Sequence, residues 1–314
     1  MNAPTSATCP LPVRSQTPVY TLPASYELCR QIARRSSSSF YYSFLLLPRA
    51  KREAMFALYA FLRRTDDLSD DPQTGDVSRQ ALIAWRQSFS NALAGTFDDP
   101  LLPALADTIQ RFGIPPSYLE AAISGVEMDL DHQGYETFSE LEDYCHHVAS
   151  AVGLACIHIW GFTSPAALEP ARRCGLAFQL TNILRDLKED AARGRVYLPR
   201  EDLRRFDYSA AEIKLGVCDE RFRRLMRFEI QRAEQFYADA VHLDRWLHAD
   251  CRPAFTAMLT TYRELLAEIK RRDGDVWTSR VRLPGWRKAR IAARCLLSFA
   301  HPAALGSRWG AVSG

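Results

Sequence analysis

Apolar residues recur at spacings of three and four in stretch after stretch of this 314-residue chain, and the apolar–polar alternation of a half-buried strand is almost absent. That pattern predicts an all-α fold. Helices are expected at roughly 24–34, 37–45, 49–70, 78–94, 101–112, 116–130, 137–161, 165–190, 209–216, 219–247, 253–272 and 285–298, with breaks at Pro48, Pro72, Gly113, Pro165, Pro199, Pro253 and Pro284. No linker, composition shift or solenoid-length repeat divides them. One helical domain over 21–300 is the simplest account, with loose tails at 1–20 and 301–314. The 47% hydrophobic content is enough for its core. Helices such as DYCHHVASAVGLACIHIWGF (143–162) are apolar on most faces and must be central. Polar residues on such helices need partners.

The net charge of +3 is spread along the chain, so nothing in the balance asks for nucleic acid. Eight scattered cysteines, without a CxxC pair or a histidine at metal-ligand spacing, read as reduced thiols of a cytoplasmic protein. The Pro, Ser and Thr-rich start lacks the apolar centre of a signal peptide. No stretch reaches the roughly 18 apolar residues of a membrane span. GWRKARIAARCLL (285–297) predicts a basic, partly amphipathic helix, which is either solvated, the commoner outcome, or a peripheral contact with an anionic membrane. Oligomeric state is left open.

Two segments carry acids where acids are expensive. In YAFLRRTDDLSD (59–70), at 100° per residue, Tyr59, Arg63, Asp66 and Asp70 fall within about 60° of one another, with Asp67 to one side. Met55, Phe56, Leu58, Phe61 and Leu62 make that helix largely buried, so the acids must be paired or hold an ion. The plain alternative is a salt bridge from Arg63 to Asp66 or Asp70. In GLAFQLTNILRDLKED (175–190), Gln179, Asn182, Asp186 and Asp190 form one polar stripe on an otherwise apolar helix. Arg185 and Lys188 fall off that stripe as surface cations, and Glu189 is expected in solvent. Two such helices facing each other across a cavity suit a hard divalent cation. Mg²⁺ fits best, because it takes oxygen ligands and is usually completed by substrate phosphates. The implied ligand is a phosphate or diphosphate, over which Arg193 and Arg195 of ARGRVYLPR, flanking Gly194, are placed to close. Glu127, Asp129 and Asp131 of GVEMDLD read as a helix end. His146 and His147 read either as bases or, the commoner outcome, as polar residues satisfied by the backbone or a neighbouring helix.

Four blocks, SSSSFYYSFLLLP (36–48), REAMFALYAFLRRTDDLSD (52–70), YCHHVASAVG (144–153) and LAFQLTNILRDLKEDAARGRVYLP (176–199), resemble the squalene and phytoene synthases over about residues 24–295. The resemblance implies an isoprenoid-synthase-type helical bundle around a central cavity, and a prenyltransferase that joins two identical prenyl diphosphates head to head through a cyclopropylcarbinyl diphosphate. It implies Mg²⁺, with Mn²⁺ as a substitute, held through Asp66, Asp70, Asn182, Asp186 and Asp190. Similarly placed are Ser37, Ser39 and Phe40, Tyr59 and Arg63, Tyr144, Gln179 and Arg185, Arg195 and Tyr197, and late in the chain Tyr262 and Arg280. Where many members carry His or Lys in the first block, this chain has a plain serine run. Phe40, Tyr41, Phe56, Phe61, Tyr144 and Phe178 are candidates to line the pocket or to pack the core.

Substrate length is open, with a slight lean to farnesyl diphosphate, although YETFSELEDYC and LLAEIKRRDGDVWTSR look as much like phytoene synthases. NADPH use is also open, since the chain has no glycine-rich dinucleotide loop. DDLSD also spells the DDxxD of head-to-tail elongating synthases and terpene cyclases, but the second motif is NxxxDxxxD and not a second DDxxD. The rival of another class is an inactive lipid-binding assembly factor, which would be expected to have lost acids that this chain keeps.

Overall fold

The computed structural model describes residues 20–36, 40–70 and 75–300, so residues 1–19 and 301–314 of the expected tails, Ser37 and Ser39 lie outside the described residues. Fifteen α-helices are found among them: α1 (Leu22–Arg35), α2 (Tyr41–Phe44), α3 (Arg49–Asp70), α4 (Gly75–Leu93), α5 (Leu102–Phe112), α6 (Pro116–Leu130), α7 (Phe138–Cys145), α8 (Ala151–Trp160), α9 (Leu168–Arg185), α10 (Leu187–Ala192), α11 (Arg200–Arg205), α12 (Ala210–Leu215), α13 (Glu220–Ala240), α14 (Arg252–Arg271) and α15 (Gly285–Ala300). The sole β pairing among the described residues is an isolated bridge from Phe162 to Leu247. None of these helices is long and apolar enough to cross a membrane.

Two long helices organise the bundle. Helix α3 buries Ala54, Ala57, Leu58 and Phe61, the i, i+3, i+4, i+7 set of an amphipathic helix, against α1, α4, α5, α6 and α8. Helix α9 packs on α13, α14 and α8. Helices α6 and α8 connect the two groups. The seven described cysteines are free thiols, as the sequence implies.

Three departures from the expected helices matter for the site. The 137–161 helix is interrupted by a π-helical turn at His146–Ser150, a feature often found where a helix serves a site. Helix α9 packs directly on that turn: a Cβ at Gly175 would lie 2.6 Å from Ser150 Cα and 2.7 Å from Ala149 O. The expected 165–190 helix kinks at Asp186 (φ −104°, ψ 12°), yet Asp186 N–H still donates to Asn182 O and Asp190 N–H to Asp186 O, both at 2.9 Å. Third, α11 was not foreseen, because six residues after Pro199 are too few to show a period. It is anchored by Asp202, which accepts from Arg232 of α13 at 2.7 and 3.1 Å. Glu229 shares that guanidinium at 2.8 Å, and burial pushes its carboxyl up to about 8.

Helix α15 turns Ile291, Ala292 and Cys295 inward against α14 and α2, and leaves Trp286, Leu296 and Leu297 exposed. Arg290 lies over the Trp286 ring at 5.2 Å.

Candidate active site

A cavity of about 420 Å³ opens between α3, α6, the π turn, α8, α9 and α14. Most of its wall is apolar or small, including Met55, Leu58, Val126, Val152, Gly153, Cys156 and Met258. Its polar side chains come from distant parts of the chain: Tyr59, Arg63 and Asp66 of α3, Asp129 of α6, Tyr144 of α7, and Gln179 and Asn182 of α9. One hollow thus combines charged and polar groups with a mostly hydrocarbon wall, a lining that suits an amphiphile with an anionic head.

On α3 Arg63 pairs with Asp67, and the expected alternative pairing with Asp70 lies outside the described residues. Arg63 Nη2 meets Asp67 Oδ1 at 2.6 Å, an i, i+4 pair with both side chains about half exposed, and Asp66 is the acid on the cavity wall. Asp70 ends the helix, and its side chain lies outside the described residues.

On α9 the polar stripe runs out of the cavity. Gln179 and Asn182 line it, with Asn182 Nδ2 donating to Gln179 Oε1 at 3.3 Å, while Asp186 and Asp190 continue beyond the wall. Arg185 is not the surface cation expected. It grips Asp186 through Nε to Oδ1 at 2.8 Å and Nη2 to Oδ2 at 2.5 Å, with both side chains 16% exposed. Arg280 adds Nε and Nη2 contacts to the same Oδ1, each at 2.8 Å. A helical projection put Arg185 off the stripe, but the guanidinium is long enough to reach back to its neighbour. Glu189 is partly solvated, its side chain 40% exposed, with Oε1 3.7 Å from Arg280 Nε and Oε2 buried without a hydrogen-bond partner. Lys188 is exposed, as expected, and donates to Trp277 O at 2.7 Å.

Asp129 was missed. The helix-end reading holds for its neighbours, since Glu127 pairs with Arg86 at 2.8 Å and Asp131 with Arg79 at 2.6 Å, both on α4. Asp129 instead shares the cavity face of α6 with Ala122 and Val126, an i, i+4, i+7 set that the sequence period could have revealed. Its carboxylate accepts from Tyr197 OH at 2.7 Å and Tyr144 OH at 3.0 Å. The two phenol rings stack at 5.3 Å, and Tyr135 stacks on Tyr144 at 5.4 Å. Asp190 titrates unusually high, up to about 7, because burial and the nearby Asp186 charge disfavour its carboxylate while Arg193 opposes them.

Of the six aromatic candidates, Phe40, Tyr144 and Phe178 line the cavity. Tyr262 of α14 stacks on Phe178 at 4.2 Å and on Phe40 at 5.3 Å, placing its ring behind theirs. Its hydroxyl pKa is raised by burial, with Arg185 and Asn182 opposing. Phe61 packs in the core against Phe89 at 5.2 Å and Trp85 at 5.4 Å, and Phe56 stacks on Tyr41 at 6.0 Å. His147 Nδ1 sits 2.8 Å from Asp143 O, the backbone contact expected of it.

Asn182 Oδ1 is a buried oxygen without a hydrogen-bond partner, and Asp190 sits where negative charge is crowded, so both gain from a nearby cation. Among the described residues no three His, Cys, Asp or Glu side chains are grouped to hold an ion by themselves.

Residues 33–287 match the family model of squalene/phytoene synthase. The chain is 40% identical over 306 residues to the phytoene synthase of Arthrospira platensis, covering 90% of this chain and 99% of that protein. It is 39% identical over 290 residues to the 15-cis-phytoene synthase of Synechococcus elongatus, covering 88% and 94%. A solved dehydrosqualene synthase in complex with ligand superposes with TM-score 0.80 at 29% identity, covering 89% of this chain and 97% of that one. The squalene synthase HpnC from Alicyclobacillus acidocaldarius gives TM-score 0.75 at 27% identity, covering 80% and 95%. The chain belongs to the squalene/phytoene synthase family, prenyltransferases that condense prenyl diphosphates head to head.

Proposed function

We propose that the protein condenses two molecules of geranylgeranyl diphosphate to phytoene. The supporting observation is that Asp66 of α3 and Gln179 and Asn182 of α9 line one cavity whose wall is mostly apolar. The relatives at 40 and 39% identity, both phytoene synthases, favour geranylgeranyl over farnesyl diphosphate as the substrate. Small residues, Gly153, Cys156, Ala171 and Cys174, line part of the wall.

Asp66, Asn182 and Asp190, with Asp70 and Asp186 beside them on the same stripes, are the residues to hold Mg²⁺. When bound, the ion supplies Lewis-acid stabilisation of the departing diphosphate. Arg63 and the partly buried Arg195 add positive charge for the same anion. Phe40, Phe178 and Tyr144 present ring faces to the allylic cation left when C1–O breaks, each contributing on the order of 1–2 kcal/mol. The apolar wall excludes water, which would otherwise trap that cation before C1 bonds to the C2–C3 double bond of the second molecule. Proton loss then closes the cyclopropane, and a second ionisation, rearrangement and proton loss give the hydrocarbon. No hydride is consumed, so NADPH is not required.

Product analysis by mass spectrometry with Mg²⁺ is expected to show a forty-carbon hydrocarbon from geranylgeranyl diphosphate, formed roughly tenfold faster than any product from farnesyl diphosphate and unchanged by NADPH. Preferential turnover of farnesyl diphosphate would overturn the chain-length assignment. Elongation on adding isopentenyl diphosphate would overturn the head-to-head reaction.

A further inference from the structure

We propose that Asp129 is a positioning residue for this reaction, holding Tyr144 with its oxygen lone pairs available to the cavity and latching the 193–199 segment onto the end of α6. The inference rests on the condensation proposed above and concerns a residue outside both acid stripes.

The geometry is a two-to-one hydrogen-bond arrangement. One carboxylate accepts from two phenols, Tyr197 on Oδ1 at 2.7 Å and Tyr144 on Oδ2 at 3.0 Å. A phenol has a single proton. With that proton committed to Asp129, the Tyr144 oxygen offers only lone pairs to anything else in the cavity. It therefore disfavours the anionic head and favours positive charge, which suits a side chain placed beside a transient carbocation. Without the carboxylate the hydroxyl would be released to donate to the diphosphate, turning the polarity of that wall around.

The second phenol gives Asp129 a mechanical role. Tyr197 belongs to the segment that carries Arg195, and the segment is stitched to the chain after α6 at several further points. His132 Nε2 lies 3.1 Å from Val196 O, Arg200 Nη2 donates to Gln133 O at 2.6 Å, and Arg200 N–H donates to Tyr135 O at 2.9 Å. His132 also packs on the Tyr197 ring at 4.7 Å. Among these contacts, the Asp129 contact alone also bonds a residue of the cavity wall, Tyr144, so it joins the segment's position to the orientation of the reacting surface.

Asp129→Asn keeps the shape but supplies one acceptor oxygen and one donor group, so it cannot receive both phenol protons as the carboxylate does. Steady-state kinetics with geranylgeranyl diphosphate are expected to show kcat lowered roughly a hundredfold, with KM and the dissociation constant of a geranylgeranyl thiolodiphosphate within about threefold of wild type, because the contacts through His132, Gln133 and Tyr135 still hold the segment that carries Arg195. Tyr144→Phe is expected to lower kcat similarly, and Tyr197→Phe to lower it less. An Asp129→Asn enzyme with kcat within about threefold of wild type overturns the proposal, as does a parallel loss of kcat and analogue binding, the mark of a merely structural anchor. Should Asp129→Asn fail to fold, Tyr144→Phe decides, and an unchanged kcat there overturns the proposal. Wild type run alongside separates the two levels: no product from wild type overturns the condensation and this role together, whereas active wild type with equally active Asp129→Asn overturns only the role.

Discussion

Asp66→Asn is expected to fold and melt like the wild type while its turnover falls by about three orders of magnitude. The structural half of that expectation follows from placement. Asp66 is an exposed side chain on the cavity wall, so a neutral isostere of the same shape opens no void there. The catalytic half follows from charge, since an amide is a much weaker ligand for magnesium and compensates none of its charge. Asp186→Asn is the less informative change. Its carboxylate is held by both Arg185 and Arg280 in a mostly buried pair, so its loss disturbs stability and turnover together. Turnover is read by pyrophosphate release and folding by thermal melting. An Asp66→Asn enzyme working within tenfold of wild type would remove Asp66 from the metal site.

Gly175→Ala is expected to destabilise the protein despite placing a better helix former in α9. Alanine in a helix interior gains about 1 kcal/mol over glycine. Against this, the new Cβ would stand 2.6 Å from Ser150 Cα, 2.7 Å from Ala149 O and 2.8 Å from Ser150 N, all backbone atoms with no flexible side chain to yield. Overpacking of this kind costs typically 1–3 kcal/mol, and a backbone obstacle puts it at the upper end. A net loss of about 2 kcal/mol is therefore expected, read from the midpoint of denaturant unfolding at constant slope. Because Ala149 and Gly175 both line the cavity, activity should fall as well. A variant as stable as wild type would show that the π turn and α9 can move apart freely.

What the sequence made legible, and what it did not, divides by distance along the chain. The α3 stripe was readable because Tyr59, Arg63 and Asp66 lie on one periodic helix, and a helix places its own residues. The same period placed Gln179 and Asn182. The kink at Asp186 was not readable, because it coincides with a contact from Arg280, 94 residues later. Asp129 looked like one of three acids at a helix end. Its partners stand 15 and 68 residues away, and only the fold brings their hydroxyls to its carboxylate. Helix α11 is shorter than two turns, too little for a hydrophobic period to appear against the surrounding loop. The expectation for Phe61 and Phe178 was the same, and the structure separates them: one packs in the core with Trp85 and Phe89, the other faces the cavity.

The most direct measurement is an anomalous difference map from crystals of the wild-type protein grown with Mn²⁺ and geranylgeranyl thiolodiphosphate. The account predicts metal peaks about 2–2.5 Å from oxygens of Asp66 on one wall and of Asn182 or Asp190 on the other, with the diphosphate between them and the prenyl chain along Phe40 and Phe178. Metal and diphosphate bound together at a place that none of these residues reaches would contradict it.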